Sequence, residues 1–417
     1  MAKRKDQMIV RDLAKKYAEL AAKPVQEERR KLWAAHFSLK PTRPLILATY
    51  GMWNVWCREV FGDKEMKCTD PFYRDHERRL KLLIFQDVVG DDFILEPWLT
   101  QRAAVKGEWG NMWGLKEEHT SPSEEGGAWQ FKPPIQDWGD VKKLTVTHHV
   151  EDAAETARLV EKFHDAVGDI LPIDINRTPA LTGFLGDIST NSARLRGLEQ
   201  IMLDMYLYPK ELHALLAFMR DGVLANNRDA DAAGHYSLTS GQNQAMTYAE
   251  TLERPRSNSG PRKRKDIWGF VAAQEFTLIS PEFHEEFMLQ YQRAIMQDFG
   301  LVHYGCCENL TKKIDALRSF KNLRSIAVTP TADVAACAKQ IGTDYAVSWR
   351  PNPTDMVCAG WDEPRIRRII GAGLKACRAN DCRVHIHLKD VETVQGDPTR
   401  MTRWVNIVRD ICAKEWK

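Results

Sequence analysis

Leu301-Val-His-Tyr-Gly-Cys306, Arg324-Ser-Ile-Ala-Val-Thr329, Tyr345-Ala-Val-Ser-Trp349 and Arg383-Val-His-Ile-His-Leu388 are the runs whose reading decides the fold. Each is short and β-rich, and amphipathic helical segments separate them. Near-continuous apolar runs are what strands require when both faces of a sheet are covered. Upstream, the same pattern picks out Leu45–Tyr50, Asp92–Glu96, Ile170–Asn176 and Ile267–Gln274, the last in competition with His235–Gly241. Eight strands alternating with helices predict an α/β protein, a (β/α)8 barrel of the TIM type.

The intervening helices carry their own signals. Ser280-Pro281-Glu-Phe-His-Glu-Glu286 offers an N-cap serine, proline at the first helical position and acids in the first turn. Pro209 opens a second helix with Leu212, Leu215, Leu216, Met219 and Val223 along one face. Asp362-Glu-Pro364 opens a third, with Ile366, Ile369, Ile370 and Leu374 facing inward. The first 43 residues are charged and helix-prone, and predict a helical extension ahead of a barrel spanning 44–417. Residues 101–143, rich in Trp, Gly and Glu, predict a loop or hairpin insertion after the second strand. A second insertion, 250–266, carries Arg254, Arg256, Arg262, Lys263, Arg264 and Lys265. Such a loop is either solvated or a contact for an acidic or phosphate-bearing group.

Of the 417 residues 43% are hydrophobic and 28% charged, a balance that supports a large core. The net charge of +2 gives no global field for nucleic acid or an anionic membrane. The charged start, Met1-Ala-Lys-Arg-Lys-Asp6, predicts a cytoplasmic protein. The nine cysteines are then expected to be reduced, with Cys337 and Cys377 placed in the core by their apolar helical surroundings.

In a barrel of this kind the reacting groups stand at the C-terminal ends of the strands. The first strand ends near Tyr50, Trp53 and Asn54, an aromatic lip suited to a flat or bulky ligand or to packing of the mouth. The second ends in Glu96, beside Pro97 and Trp98. There a carboxyl with a raised pKa can act as acid or base, unless a backbone amide simply holds it. Asp174 and Asn176 alternate onto one side of the third strand. The fifth ends in His303-Tyr-Gly-Cys306-Cys307-Glu308, an imidazole, two thiols and a carboxylate within six residues. Zinc takes Cys and His, and a bound thiol is deprotonated at neutral pH. One strand end rarely supplies three ligands, and His385 and His387 alternate onto one side of the eighth strand as further donors. The competing reading is that Cys306 and Cys307 pack and His303 is a satisfied core histidine.

These segments, together with Thr182-Gly-Phe-Leu-Gly186, Leu195-Arg-Gly-Leu-Glu-Gln-Ile-Met-Leu-Asp204, Ile279-Ser-Pro-Glu-Phe283, Trp349-Arg-Pro-Asn-Pro353 and, upstream, Pro133-Pro-Ile-Gln-Asp-Trp138, resemble the uroporphyrinogen decarboxylase superfamily over about residues 165–412. The resemblance implies a distorted (β/α)8 barrel with its site at the C-terminal mouth. It is closer to the corrinoid-dependent methyltransferase branch, because the first strand end lacks the arginine-rich pattern of the true decarboxylases. That branch carries a His-x-Cys zinc motif and a later cysteine. Here the matching segments read His303-x-x-Cys306-Cys307 and His385-Ile-His387-Leu-Lys389, so either the zinc set is rebuilt from His303, Cys306, Cys307 and His387 or this branch carries no zinc.

The resemblance therefore implies a methyltransferase. A methyl group would move between a methoxy, methylamino or thiol compound and cobalamin on a separate corrinoid protein docked over the mouth, with the 254–265 loop as a contact. Glu96 or Glu308 would move protons, and Arg350 or Lys389 would hold an anionic part of the substrate. Tyr50, Trp53, Asn54, Asp174, Asn176 and Trp349 would line its site. A homodimer is usual for the superfamily. The rival activity is a metal-independent decarboxylase or lyase acting on an aromatic or tetrapyrrole acid, and the non-enzymatic rival is a scaffold barrel.

Overall fold

The computed structural model describes residues 2–50, 57–106, 112–120 and 130–416. Among the described residues there are ten strands: β1 Leu45–Tyr50, β2 Leu99–Arg102, β3 Glu118–Thr120, β4 Gln130–Lys132, β5 Ile173–Asn176, β6 Trp268–Val271, β7 Leu301–Tyr304, β8 Leu323–Val328, β9 Ala346–Trp349 and β10 Arg383–Val391. Six of them form one curled parallel sheet in the order β1-β10-β9-β8-β7-β6. A separate parallel pair joins β2 to β5, and β3 and β4 make an antiparallel hairpin inside the 101–143 insertion.

Strand alternation sorts the side chains cleanly. Ile46, Ala48, Val302, Tyr304, Ile326, Val328, Val347, Trp349, Ile386 and Leu388 join the large core between the sheet and its helices. The alternate positions face the axis. Leu45, Leu47, Trp268, Leu301 and Ala346 pack with Trp33 and Phe37, and His303, Ser325, Ser348, His385 and His387 lie among them in register. An interior this polar is unusual for a barrel, where branched aliphatic layers are the rule.

The strand expected at Asp92–Glu96 is absent, and the strand of this region lies downstream at Leu99–Arg102. The reason lies in side chains that replace a backbone ladder. The Asp92 carboxylate accepts from the Ile46 amide at 2.8 Å, and the Asp91 carboxylate accepts from the Ala48 amide at 2.8 Å. Only the Asp92 amide pairs with β1 through the backbone, donating to the Ile46 carbonyl at 2.8 Å. Likewise 235–241 forms no strand, and Gln242 donates to the Trp268 carbonyl. Among the described residues the ladder is thus a six-stranded arc with a two-stranded pair, not a closed ring of eight.

The N-terminal extension is two helices, Ala2–Ala21 and Pro24–Phe37, broken where Pro24 takes the first position of the second. The second helix closes the N-terminal end of the sheet. Trp33 and Phe37 are fully buried there, and the Trp33 indole donates to the Asp92 carbonyl at 2.8 Å. The outer helices start where the sequence places them. Ser280 Oγ caps at the Phe283 amide (3.2 Å), and Asp362 caps at the Arg365 amide (2.9 Å). In the helix Pro209–Ala233, Leu212, Leu215, Leu216, Met219 and Val223 are all buried, each contributing about 1.5–3 kcal/mol relative to exposure. Cys337 and Cys377 are core residues. No helix among the described residues is long and apolar enough to cross a membrane.

The basic loop is not an array of free cations. Arg254 pairs with Glu27, Arg256 and Arg262 with Glu253, and Arg264 with Asp231 and Asp298. Four of its charges are therefore paired within the molecule.

Candidate functional site

Strand β7 breaks at Gly305, and the break builds the site. Gly305 has φ +102°, a conformation that favours glycine, and a Cβ there would lie 2.9 Å from Leu310 and 3.0 Å from Ala327. The chain turns back and presents Cys306 and Cys307 at the sheet's C-terminal edge. Glu308, fully buried, fixes this turn. One carboxylate oxygen accepts from the Ala273 amide and the other from the Cys306 amide, both at 2.8 Å. The residue expected to move protons is instead a brace between the loops after β6 and β7. Glu308→Ala would leave two buried amides unmet, at a cost of about 2–4 kcal/mol. A chemical-denaturation loss below about 1 kcal/mol would show that the brace is dispensable.

The thiol of Cys306 is 3% exposed and has four polar neighbours. Cys307 Sγ lies 3.4 Å away, Lys389 Nζ lies 3.4 Å away, the Gln244 side chain hydrogen-bonds to it and the Arg350 guanidinium adds its charge. Together, with the Cys307 contact foremost, they pull its pKa down to about 6 against the upward push of burial. Cys307, the exposed partner, is pushed up instead, because its proton is shared toward Cys306. The two shifts run in opposite directions and favour Cys306 over Cys307 as the more acidic thiol of the pair.

Lys389 reaches Cys306 across two intervening strands because the sheet curls and because β10 bulges. The register with β1 slips between Ala48 and Tyr50, and Asp390 adopts φ +57°. Lys389 Nζ also pairs with Asp390 at 3.0 Å. Arg350, 2% exposed, follows β9 and donates to the Cys306 carbonyl, with its second nitrogen 3.1 Å from His303 Nε2. Burial and the Arg350 charge hold His303 and His387 neutral, well below the usual imidazole pKa. His387 Nε2 meets Thr49 Oγ1 at 2.5 Å, while His385 Nδ1 meets His36 Nε2 at 2.9 Å nearer the helical collar.

The donors named for zinc do not gather as a set in this structure. His303 Nε2 and His387 Nε2 are engaged by Arg350 and Thr49, Nδ1 of each ring is buried without a hydrogen-bond partner, and the second sulfur is a protonated neighbour. Two cations crowd the thiolate, where a dication would be repelled. Among the described residues no three His, Cys, Asp or Glu side chains gather so as to hold a metal ion.

The remaining expected residues are scattered. Glu96 is held by Arg30 at 3.2 Å and by Tyr248 at 2.8 Å, and its carbonyl accepts from Tyr17, so its partners include the collar helices rather than Cys306. Burial raises its pKa, the one part of its reading that holds. Asp174 accepts from Thr239 Oγ1 and the Asn258 amide, and Asn176 caps its own turn at the Thr178 amide. Both are tied up locally. Trp349 faces outward, with its ring against Gly373 of the helix Glu363–Ala379, and is core rather than ligand wall. Trp53 and Asn54, and the side chain of Tyr50, lie outside the described residues.

Sequence reasoning missed Gln244 and the cavity it borders. This cavity of about 820 Å³ is walled by Arg102, Met112, Phe184, Gln242, Gln244 and Phe270 among others. Gln244 and Phe270, which line the cavity, are also neighbours of Cys306. The polar run Gly241-Gln-Asn-Gln244 was the available signal.

No family model and no curated protein matches the chain. Among solved structures it is similar to a methyltransferase from Methanosarcina mazei, with a TM-score of 0.50 and 12% identity, over 93% of this chain and 99% of that one. The likeness is one of fold. It agrees with a mixed α/β architecture of TIM-like character.

Proposed function

We propose that the chain is a methyltransferase whose nucleophile is the Cys306 thiolate. The observation that carries this is a thiol held by Cys307, Lys389 and Gln244, with Gln244 also lining a cavity of about 820 Å³. The likeness of fold to a protein called a methyltransferase supports the group transferred. The donor is a small methoxy, methylamino or methylthio compound. Cys306 Sγ attacks the methyl carbon, forming an S–C bond as the carbon–heteroatom bond breaks. The electron pair stays on the heteroatom, and the Lys389 ammonium supplies the proton it takes up. Arg350 fixes the loop by holding the Cys306 carbonyl, and the neutral His303 positions Arg350.

S-methylated Cys306 then gives up its methyl group to an acceptor and returns to thiolate. The acceptor of this proposal is cobalamin on a separate corrinoid protein, which supplies a strongly nucleophilic centre when bound. No zinc step is needed, because the two cations and the Cys307 proton do the work of holding the thiolate.

Methyl iodide followed by free cob(I)alamin tests the relay directly. Peptide mass mapping should place the methyl on Cys306, and cob(I)alamin should then remove it. A methyl group found on Cys307 instead, or one that cob(I)alamin leaves in place, would sink the relay.

A further inference from the structure

We infer that Cys306 and Cys307 are a redox modification site, closed into a vicinal disulfide by a hydroperoxide and reopened by a dithiol reductant. The inference rests on the methyl-transfer reading only for its consequence, namely that the closed form has no nucleophile. The two sulfurs lie 3.4 Å apart and already face each other. They differ in the way such a closure requires. Cys306 has the Lys389 ammonium at 3.4 Å and the Gln244 side chain as a further hydrogen-bond partner, so negative charge is favoured on its sulfur. Cys307 is exposed, and among the described cysteines it alone is. Cys377 and Cys382 also hydrogen-bond to each other, but both are buried and neither has an exposed sulfur beside it.

The surroundings allow the pair to close and to reopen. Strand β7 ends at Tyr304, so closure breaks no ladder hydrogen bond. Glu308 holds the Cys306 amide and Arg350 its carbonyl, which keeps the two sulfurs facing each other. Neighbouring residues place their Cα atoms about 3.8 Å apart, closer than the roughly 4.4–6.8 Å of a relaxed disulfide. A bridge at this place is therefore strained, and strained, exposed disulfides are the readily reduced, regulatory ones.

In the first step the Cys306 thiolate attacks the terminal oxygen of the hydroperoxide. An S–O bond forms, the O–O bond breaks, and the departing oxyanion takes a proton from the Lys389 ammonium, which recovers it from water. In the second step the Cys307 sulfur attacks the Cys306 sulfur. The S–S bond forms and the S–O bond breaks, and the hydroxide leaves with the Cys307 proton as water. Two electrons pass from the sulfurs to the peroxide. A dithiol reverses the closure by exchange and becomes a disulfide itself. Cys307 thus also protects Cys306, because a sulfenic acid with no thiol beside it goes on to sulfinic acid, which a dithiol does not reduce.

The test exposes the full chain to a few equivalents of hydrogen peroxide, with no methyl donor present. Catalase then quenches the peroxide, and iodoacetamide alkylates the unfolded protein. The tryptic peptide Ala294–Lys312 holds Cys306 and Cys307 and no other cysteine. It should become two hydrogens lighter and lose both labels, and dithiothreitol should restore both. In Cys307→Ala, residue 306 should instead gain two oxygens, and dithiothreitol should restore nothing. Both thiols still labelled after peroxide, a bridge from either sulfur to another cysteine, or sulfinic acid at Cys306 in the unsubstituted chain would each overturn the inference. Full labelling of Cys306 in peroxide-treated Cys307→Ala would overturn it as well. The readout is the state of two sulfurs without donor or corrinoid, so its failure is separate from a failure of the methyl relay.

Discussion

Cys306→Ser is expected to lower methyl transfer by about 10³-fold or more, on the order of 4 kcal/mol in the barrier, while the protein stays folded. A serine hydroxyl stays protonated at neutral pH, so the charge that Cys307, Lys389 and Gln244 stabilise is never formed. The fold survives because the interactions that build the turn use the backbone of residue 306. Its amide is held by Glu308 and its carbonyl by Arg350. Cys307→Ser is expected to be far milder, since a hydroxyl can still donate to Cys306. Steady-state kinetics on the two variants read the difference. Full loss in Cys307→Ser with activity retained in Cys306→Ser would exchange the two roles.

The largest effect on stability is expected at Arg196. Its guanidinium forks onto Asp204 at 2.7 and 3.3 Å, with both residues nearly inaccessible to water. It also donates to the carbonyls of Ile135 and Gln136 and lies 4.6 Å from the Trp138 ring. One side chain thus ties the segment after the hairpin to the helices Ser189–Arg196 and Leu198–Leu207. Arg196→Ala strands the Asp204 carboxylate in the interior, with Gln200 at 2.8 Å as its remaining partner. Breaking such a pair costs about 3–5 kcal/mol, whereas replacing both partners by apolar residues costs much less. Urea denaturation of Arg196→Ala and of Arg196→Met with Asp204→Leu should show that asymmetry. A single-variant loss below about 1 kcal/mol would mean that water reaches the pair.

The runs that read most plainly as strands were those buried on both faces, and β7, β8, β9 and β10 stand where their apolar character puts them. The second strand was misplaced because Asp91 and Asp92 serve the amides of β1 with their side chains, a substitution that hydropathy cannot show. Trp349 was misread although alternation held the answer. Cys306, Arg350 and Lys389 cluster at the mouth, and the residue before Arg350 must face the other way. The His/Cys cluster was legible as a place of chemistry because imidazole, thiols and carboxylate crowd one strand end. The division of labour within it was not. Glu308 braces an amide 35 positions away, and Lys389 arrives from a strand three places distant across the curl.

The central claim is that Cys306 is a thiolate at neutral pH without a metal. A thiol whose pKa is lowered is reactive above that pKa and loses reactivity as pH falls through it. Iodoacetamide labelling of the metal-free protein, quantified at the Cys306 peptide from pH 4 to 9, measures this directly. The account predicts a midpoint near the folded value of about 6. Cys307→Ala should move it upward most, and Lys389→Met upward by less. A midpoint near the unperturbed thiol value of about 8.5, unmoved by either substitution, would contradict it.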